Sequence, residues 1–338
     1  MDNLTHSLTG ILLARTGLKR DVPYGTALAV AAANFADVDI VTGAKSWICY
    51  LDHHRGFTHS LLWLPLVAAA PLPLWWLLAR RRGPVRRMLW LRAWLVSLVA
   101  GLTHPLLDLM NVYGIRLWTP ASNRWHHLDL LFIVDVWVWA LLLVCVLGPM
   151  LARLVDSEIG ARGAPGRGMA WLGLVGLALI AGFRSIEHDR AIAQLNARVY
   201  SGEPPRRVLA TPTPANPWRW NGVVETRSFW RIVPVDLLRP GDPLDPDAGP
   251  TFYKPDIGRF RPIVAATETG RVFLDFSQAQ CWSVTPAAAP DGATLVSISD
   301  LRFGPPAGNA FTATFLISAD GRVLREEFAF GRMGQRKR

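Results

Sequence analysis

The chain has 338 residues, of which 51% are hydrophobic and 18% are charged, and its formal net charge is +10. Soluble proteins carry about 25% charged residues, so this composition argues against an ordinary soluble domain. A basic excess can indicate a nucleic-acid partner. Here, however, the arginines flank apolar stretches, which is typical of the cytoplasmic ends of membrane helices. We therefore expect a lipid bilayer, and no nucleic acid, as the partner. The three cysteines predict neither a disulfide framework nor a thiolate metal site.

Six apolar stretches predict a polytopic helical membrane domain over residues 1–188, with about six transmembrane helices. They cover residues 4–18, 24–44, 60–79, 89–112, 130–152 and 169–186. The first stretch is short, because a helix needs about 20 residues to cross a bilayer.

The basic residues predict the orientation of these helices. Lys19 and Arg20 follow the first stretch, five arginines lie between residues 80 and 87, and three more lie between residues 153 and 167. Since cytoplasmic loops are enriched in Lys and Arg, these three loops should face the cytoplasm. Residues 1–3, 42–59, 111–129 and everything after 188 then face outward.

A change of composition after residue 188 predicts a second, β-rich domain. Residues 189–203 should form a polar helical connector, residues 204–332 a β-rich extracytoplasmic domain, and residues 333–338 a disordered tail. Strand-like runs lie at residues 223–235, 263–267, 271–276, 295–298, 311–318 and 323–330. The Asp320-Gly321 pair between the last two runs indicates a hairpin turn.

Histidines and aspartates at the predicted outer ends of the helices suggest a metal site. Imidazole and carboxylate are common ligands of divalent metals, and ionisable residues in membrane segments usually mark function because they are costly there. The predicted ligands are His6, Asp37, Asp39, His54, His59, His104 and Asp108. His6 can join them only if the short first stretch also crosses the membrane.

The spacing of these residues leaves alternatives open. His104 and Asp108 are four apart and share a helix face, which suits a metal ligand pair or a structural hydrogen bond. Asp37 and Asp39 diverge by about 200° on a helix, so one can be a ligand and the other a helix cap. His54 and His59 bracket Arg55 at a membrane entrance, where capping alone does not explain two histidines and an arginine.

These motifs resemble the YdjM-type family of bacterial membrane-bound metal-dependent hydrolases. The resemblance rests on His6, Asp37-Val38-Asp39, the run 54–60, His104 to Asp108, Asn111 to Gly114, and Trp118 with Pro120, and it covers about residues 1–140. That family is distantly similar to zinc-dependent phospholipase C, which also has a histidine followed four residues later by an aspartate. The resemblance implies a bacterial inner-membrane hydrolase that acts on phosphoesters, and it does not extend to the β-rich domain.

The first functional hypothesis is a hydrolase with one or two divalent metal ions, expected to be zinc. Asp39 or Asp108 would act as the general base, and Arg55 would hold an amphiphilic, phosphorylated or lipid-linked substrate. The second hypothesis is a transporter of metal ions or small solutes, and the third is a membrane-anchored binding module. Metal flux in proteoliposomes distinguishes the second from the first, and metal content distinguishes the third.

Overall fold

The computed structural model describes residues 1–158 and 166–330, and these residues form two compact units. Of the described residues, the first unit comprises 1–39, 55–158, 166–186 and 214–216, and the second comprises 40–54, 187–213 and 217–330. The predicted tail 333–338, the last two residues of the predicted β-rich domain and Arg162 of a predicted cytoplasmic loop lie outside the described residues.

Within the described residues, eight α-helices precede the first strand. They are α1 (Asn3–Leu13), α2 (Gly25–Asn34), α3 (Trp47–His53), α4 (Leu64–Val67), α5 (Leu72–Ala79), α6 (Arg87–Leu109), α7 (Val136–Glu158) and α8 (Arg167–Asn196). A 3-10 helix at Phe35–Ala44 continues α2, and a π-helix at Ala14–Leu18 continues α1.

Four of the described helical stretches are long and apolar enough to cross a membrane. They are Gly25–Ala44, Arg87–Leu109, Val136–Leu154 and Arg167–Asn196, and a fifth is possible if the helices over 47–59 and 64–82 form one broken span. The predicted helical membrane region is thus present. The count of six stays a prediction, because α1 has only 11 residues and the stretch predicted at 60–79 is divided into α4 and α5.

Close packing of α1, α2 and α6 builds the part of the first unit that holds the predicted ligands. Asp2 caps α1, accepting hydrogen bonds from the backbone N–H groups of Leu4 (3.0 Å) and Thr5 (3.1 Å). A Cβ atom added at Gly10 would lie 2.9 Å from the Ala29 carbonyl oxygen, so glycine permits the approach of α1 to α2. This contact fixes the positions of the residues that α1 and α2 contribute to the site.

The second unit contains two antiparallel four-stranded sheets, each with its strands in sequence order. The first sheet has β1 (Arg207–Pro212), β2 (Arg219–Glu225), β3 (Phe229–Asp236) and β4 (Thr251–Tyr253), and the second has β5 (Gln280–Pro286), β6 (Thr294–Asp300), β7 (Phe311–Ile317) and β8 (Val323–Phe330). Alternate residues of β7 are buried, as its sequence pattern predicted. The predicted turn at Asp320-Gly321 does connect β7 to β8.

Two runs predicted as strands are helices, namely α9 (Phe260–Ala265) and α10 (Glu268–Phe276). The Thr267 side chain caps α10 by accepting a hydrogen bond from the Gly270 backbone N–H. Val272, Phe273 and Phe276 are all buried, and their spacing places them on one face of a helix. Short apolar runs fit a strand or a helix equally well, and here the N-cap and this spacing favour the helix.

We expect Gly270→Ala to destabilise the second unit. A Cβ atom at this position would lie 1.9 Å from the Val264 carbonyl oxygen, so α9 and α10 would have to move apart. Overpacking of this kind typically costs about 1–3 kcal/mol, which should lower the thermal unfolding midpoint of the purified protein. Gly182→Ala is the control, because nothing lies within 4 Å of its added Cβ. Equal midpoints for the two variants would contradict this packing.

Candidate metal centre

Two helical segments of the first unit each supply a pair of side chains to one buried group. Asp37 and Asp39 lie on the 3-10 helix that follows α2, and His104 and Asp108 lie one turn apart on α6. His59 ends a short 3-10 helix at Phe57–His59. The sequence places all five at or near helix ends, where side chains from different segments can meet.

Four of these residues, Asp37, His59, His104 and Asp108, could hold a metal ion, since each offers a ligand atom within 4.8 Å of the other three. The Nε2 atoms of His59 and His104 are 3.1 Å apart. Asp108 Oδ2 lies 3.3 Å from His59 Nε2 and 3.4 Å from His104 Nε2. Asp37 Oδ1 lies 3.7 Å and 3.4 Å from the same two nitrogens.

These separations suit a tetrahedral metal ion. Zinc binds imidazole nitrogen and carboxylate oxygen at about 2.0–2.1 Å, which corresponds to a ligand–ligand separation of about 3.3–3.4 Å. The hydrogen bonds of the two imidazoles also suit metal binding. His104 Nδ1 donates to the Ala33 carbonyl oxygen at 2.6 Å, which leaves a lone pair on Nε2.

Asp39 lies near the Nδ1 edge of the His59 imidazole. Its Oδ2 lies 3.5 Å from His59 Nδ1 and accepts hydrogen bonds from the Arg55 backbone N–H (2.9 Å) and the Thr58 hydroxyl (3.2 Å). The Thr58 hydroxyl lies 3.0 Å from His59 Nδ1 and donates its own proton to Asp39, so it can accept the proton of Nδ1 and leave the lone pair of His59 Nε2 facing His104. With both imidazoles neutral, two lone pairs and two carboxylates face one another, an arrangement that a cation would stabilise.

Burial makes an unpaired polar atom costly, and Asp108 is paired through only one of its oxygens: the N-terminal amine of Met1 and the Arg55 guanidinium both lie against Oδ1. The side chains of His59, His104 and Asp108 are 0% exposed, whereas that of Asp37 is 24% exposed. Among the described residues, no donor hydrogen-bonds Asp108 Oδ2. An unpaired buried carboxylate oxygen carries a large desolvation penalty, which metal coordination would offset. Solvent reaches the group at Asp37.

His6 lies against this group from α1. Its ring stacks on that of His104 with centroids 3.8 Å apart, and its Nε2 lies 3.6 Å from Asp108 Oδ1. Both ring nitrogens are buried and lack a hydrogen-bond partner among the described residues. His6 is outside the group of four, but its position next to His104 and Asp108 supports the proposal that it is a metal ligand.

His54 is placed differently. Its Nε2 lies 3.1 Å from the Tyr50 hydroxyl, and the two rings stack with centroids 4.3 Å apart. His54 belongs to the second unit, whereas the group of four belongs to the first. The structure does not include His54 in that group, and its ligand role stays a prediction.

Arg55 makes several hydrogen bonds through its guanidinium group. Nη2 lies 3.2 Å from Asp108 Oδ1, and Nη1 donates to the Asn111 side-chain oxygen at 3.1 Å and to the Gly114 carbonyl oxygen at 3.3 Å. The guanidinium also lies 4.6 Å from the centroid of the Tyr113 ring. The side chain is only 7% exposed, so Arg55 holds Asp108 in place from within the protein.

Asn111 belongs to the motif that carries the family resemblance, and the structure gives it a supporting role that its spacing does not indicate. It is fully buried, and its side-chain oxygen also accepts hydrogen bonds from the backbone N–H groups of Tyr113 (2.8 Å) and Gly114 (3.3 Å). Gly114 has a φ of +83°, so Asn111 stabilises a tight turn after α6. An asparagine shortly before a glycine at a helix end is a recognisable turn pattern, but the sequence does not indicate its bond to Arg55.

Comparisons with known proteins match the part of the chain that contains this centre. The chain is 29% identical over 150 residues to the uncharacterized protein YfhP of Bacillus subtilis (strain 168), a match that covers 41% of this chain and 43% of that relative. No solved structure matches the chain. The YdjM inner membrane protein family matches residues 1–191, which include every predicted metal ligand. The chain is therefore a membrane protein that belongs to the YdjM inner membrane protein family.

Proposed function

We propose that the protein is a membrane-bound, metal-dependent hydrolase that acts on phosphoesters, with an amphiphilic or lipid-linked substrate. The observation that carries this proposal is the buried group of Asp37, His59, His104 and Asp108, whose ligand atoms lie within 4.8 Å of one another. The side chains around the group suit catalysis better than a purely structural role, because Asp37 leaves one side open to solvent.

The four residues would hold one divalent metal ion, and their nitrogen and oxygen donors suit zinc. His6 would bind a second ion or become a further ligand of the first. A bound divalent ion lowers the pKa of a coordinated water and polarises a phosphoryl oxygen. Asp39 orients the Thr58 hydroxyl, which accepts the proton of His59 Nδ1, and Arg55 fixes the orientation of Asp108. The general base is Asp39 or Asp108. Because Asp108 is also a proposed metal ligand, Asp39→Asn separates these assignments: loss of turnover at full metal occupancy favours Asp39, and retained turnover favours Asp108.

The hydrolase proposal is tested with the full chain purified in detergent. Bis(p-nitrophenyl) phosphate, a short-chain phosphatidylcholine and p-nitrophenyl acetate serve as a diester, a lipid diester and a carboxyl ester. We expect hydrolysis of the phosphodiesters, loss of that activity after treatment with a chelator, and recovery when zinc is added back. Zinc-loaded protein that hydrolyses no phosphoester, yet moves metal ions across proteoliposomes, would replace this function with transport.

We further propose that the site opens at the outer face of the bacterial inner membrane and that the β-rich domain is extracytoplasmic. The arginine-rich loops support this orientation. A reporter enzyme that works only outside the cytoplasm should be active when it is fused after Arg338. Activity of the corresponding cytoplasmic reporter at the same position would overturn the orientation while leaving the metal centre untouched.

A further inference from the structure

The second unit contains a cavity of about 470 Å³ that is unrelated to the metal ligands. Both sheets contribute to its wall, through Arg207 of β1, Trp230 of β3 and Trp282 of β5. Small-molecule sites typically measure about 300–1,000 Å³. The cavity is therefore large enough for a small organic ligand.

The charges that line this cavity are not balanced. Lys254 Nζ donates to Glu225 Oε1 at 2.8 Å and to the Thr226 carbonyl oxygen at 2.7 Å, so these two charges neutralise each other. Arg207 donates to the carbonyl oxygen of Gln278 at 2.7 Å. Neither Arg207 nor Arg261 forms an ion pair within residues 1–158 and 166–330. Two guanidinium groups in one cleft attract anions, and their planar forks suit phosphate or carboxylate oxygens.

Aromatic side chains provide the apolar part of the same wall. Trp230 and Trp282 are mostly buried, and Tyr253 is 75% exposed. Flat aromatic faces favour contact with a ring of the ligand, and Tyr253 in particular leaves a large apolar area in water.

One buried polar atom in the wall lacks a hydrogen-bond partner among residues 1–158 and 166–330. Ser277 is 4% exposed, and its hydroxyl forms no hydrogen bond with any described residue. Because a buried hydroxyl usually has a hydrogen-bond partner, Ser277 indicates a position where a polar ligand atom would bind.

The remaining nucleophile in the wall favours binding over covalent chemistry. Burial raises the pKa of the Cys281 thiol to about 11, because the charged thiolate is poorly solvated there. The thiol is thus protonated and unreactive at neutral pH.

We propose that this cavity binds a small organic anion that carries a ring, with its phosphate or carboxylate group on Arg207 and Arg261, its ring against Tyr253 and Trp282, and a polar atom on Ser277. The site is separate from the metal-dependent activity proposed above, and it gives the β-rich domain a ligand-binding role of its own.

Isothermal titration of the full chain in detergent tests this site with phenyl phosphate, which combines a ring and an oxyanion. Inorganic phosphate lacks the ring, and phenol lacks the oxyanion. Each should bind at least about tenfold more weakly than phenyl phosphate, because it loses either the ring contact or a charge-assisted hydrogen bond. Sodium benzoate shows whether a carboxylate replaces the phosphate group. Binding should weaken as salt is raised.

Matched variants locate the binding. Arg261→Gln and Arg207→Gln should each weaken phenyl phosphate by about tenfold or more. Arg325 is an exposed arginine on β8 outside the cavity wall, so Arg325→Gln should not change the affinity for phenyl phosphate. His59→Ala should also retain full binding, which separates this site from the metal centre. Wild-type affinity in both cavity variants, or no saturable binding of phenyl phosphate, would overturn the proposal.

Discussion

His59→Ala should remove both the bound metal and the phosphodiesterase activity. The ring of His59 lies between Asp37 and Asp39, with Nε2 toward the first and Nδ1 toward the second, and its Nε2 also faces His104. Removal of the ring deletes one ligand and the imidazole that lies between the two carboxylates. Losses in the outer shell of a metal site cost about 10- to 100-fold in affinity, and a direct ligand should cost at least that much. Metal per chain is measured by inductively coupled plasma mass spectrometry after detergent purification.

Two other histidine variants give this experiment its contrast. His188→Ala should keep full metal occupancy, because His188 lies in the second unit with its ring against Trp220. His54→Ala tests the ligand role predicted from the sequence. Retained metal in His54→Ala would restrict the centre to the residues of the first unit. Full occupancy in His59→Ala would remove the basis for the centre itself.

Arg55→Lys should lower turnover by about 10- to 100-fold, the range expected for residues that support metal ligands. The guanidinium reaches Asp108, Asn111 and the Gly114 carbonyl oxygen at the same time. A lysine ammonium keeps the charge but lacks the planar fork, so it cannot make these contacts together. Turnover number and KM for bis(p-nitrophenyl) phosphate are measured alongside zinc affinity.

The pattern of losses distinguishes two roles of Arg55. If Arg55 holds the anionic substrate, as the sequence suggested, KM should rise while zinc affinity stays normal. If Arg55 positions Asp108, zinc affinity and turnover should fall together with little change in KM. Near-normal values for all three quantities would reject both roles. An anchor at the membrane interface is a poor third explanation, because the side chain is almost completely buried.

The sequence predicts well those parts of the centre that depend on a single regular element. His104 and Asp108 are four apart on one helix, so their shared face follows directly from helical geometry. The structure bears out their proximity. Asp37 and Asp39 both reach the same imidazole, because His59 lies between them. Spacing alone does not reveal such an intervening ring.

The parts that depend on irregular backbone are less predictable. His54 follows the last residue of α3, and Arg55 has a φ of +56°, an uncommon value for a residue other than glycine. The His54 ring turns back to Tyr50, one helical turn earlier. The sequence of residues 54–60 does not predict this orientation of the His54 ring. It therefore predicts the same ligand role for His54 as for His59. The runs that form α9 and α10 are a separate case, because such short apolar runs fit a strand as well as a helix until the Thr267 N-cap and the spacing of the buried residues are considered.

X-ray absorption spectroscopy of the zinc-loaded protein tests the metal centre most directly. We predict a shell of nitrogen and oxygen ligands at about 2.0–2.1 Å with the outer-shell scattering of two imidazoles. His104→Ala should lose one imidazole contribution and most of the bound zinc, whereas His188→Ala should give the wild-type spectrum. A sulfur shell, or an unchanged two-imidazole spectrum at full occupancy in His104→Ala, would contradict the assignment of Asp37, His59, His104 and Asp108 as the metal site.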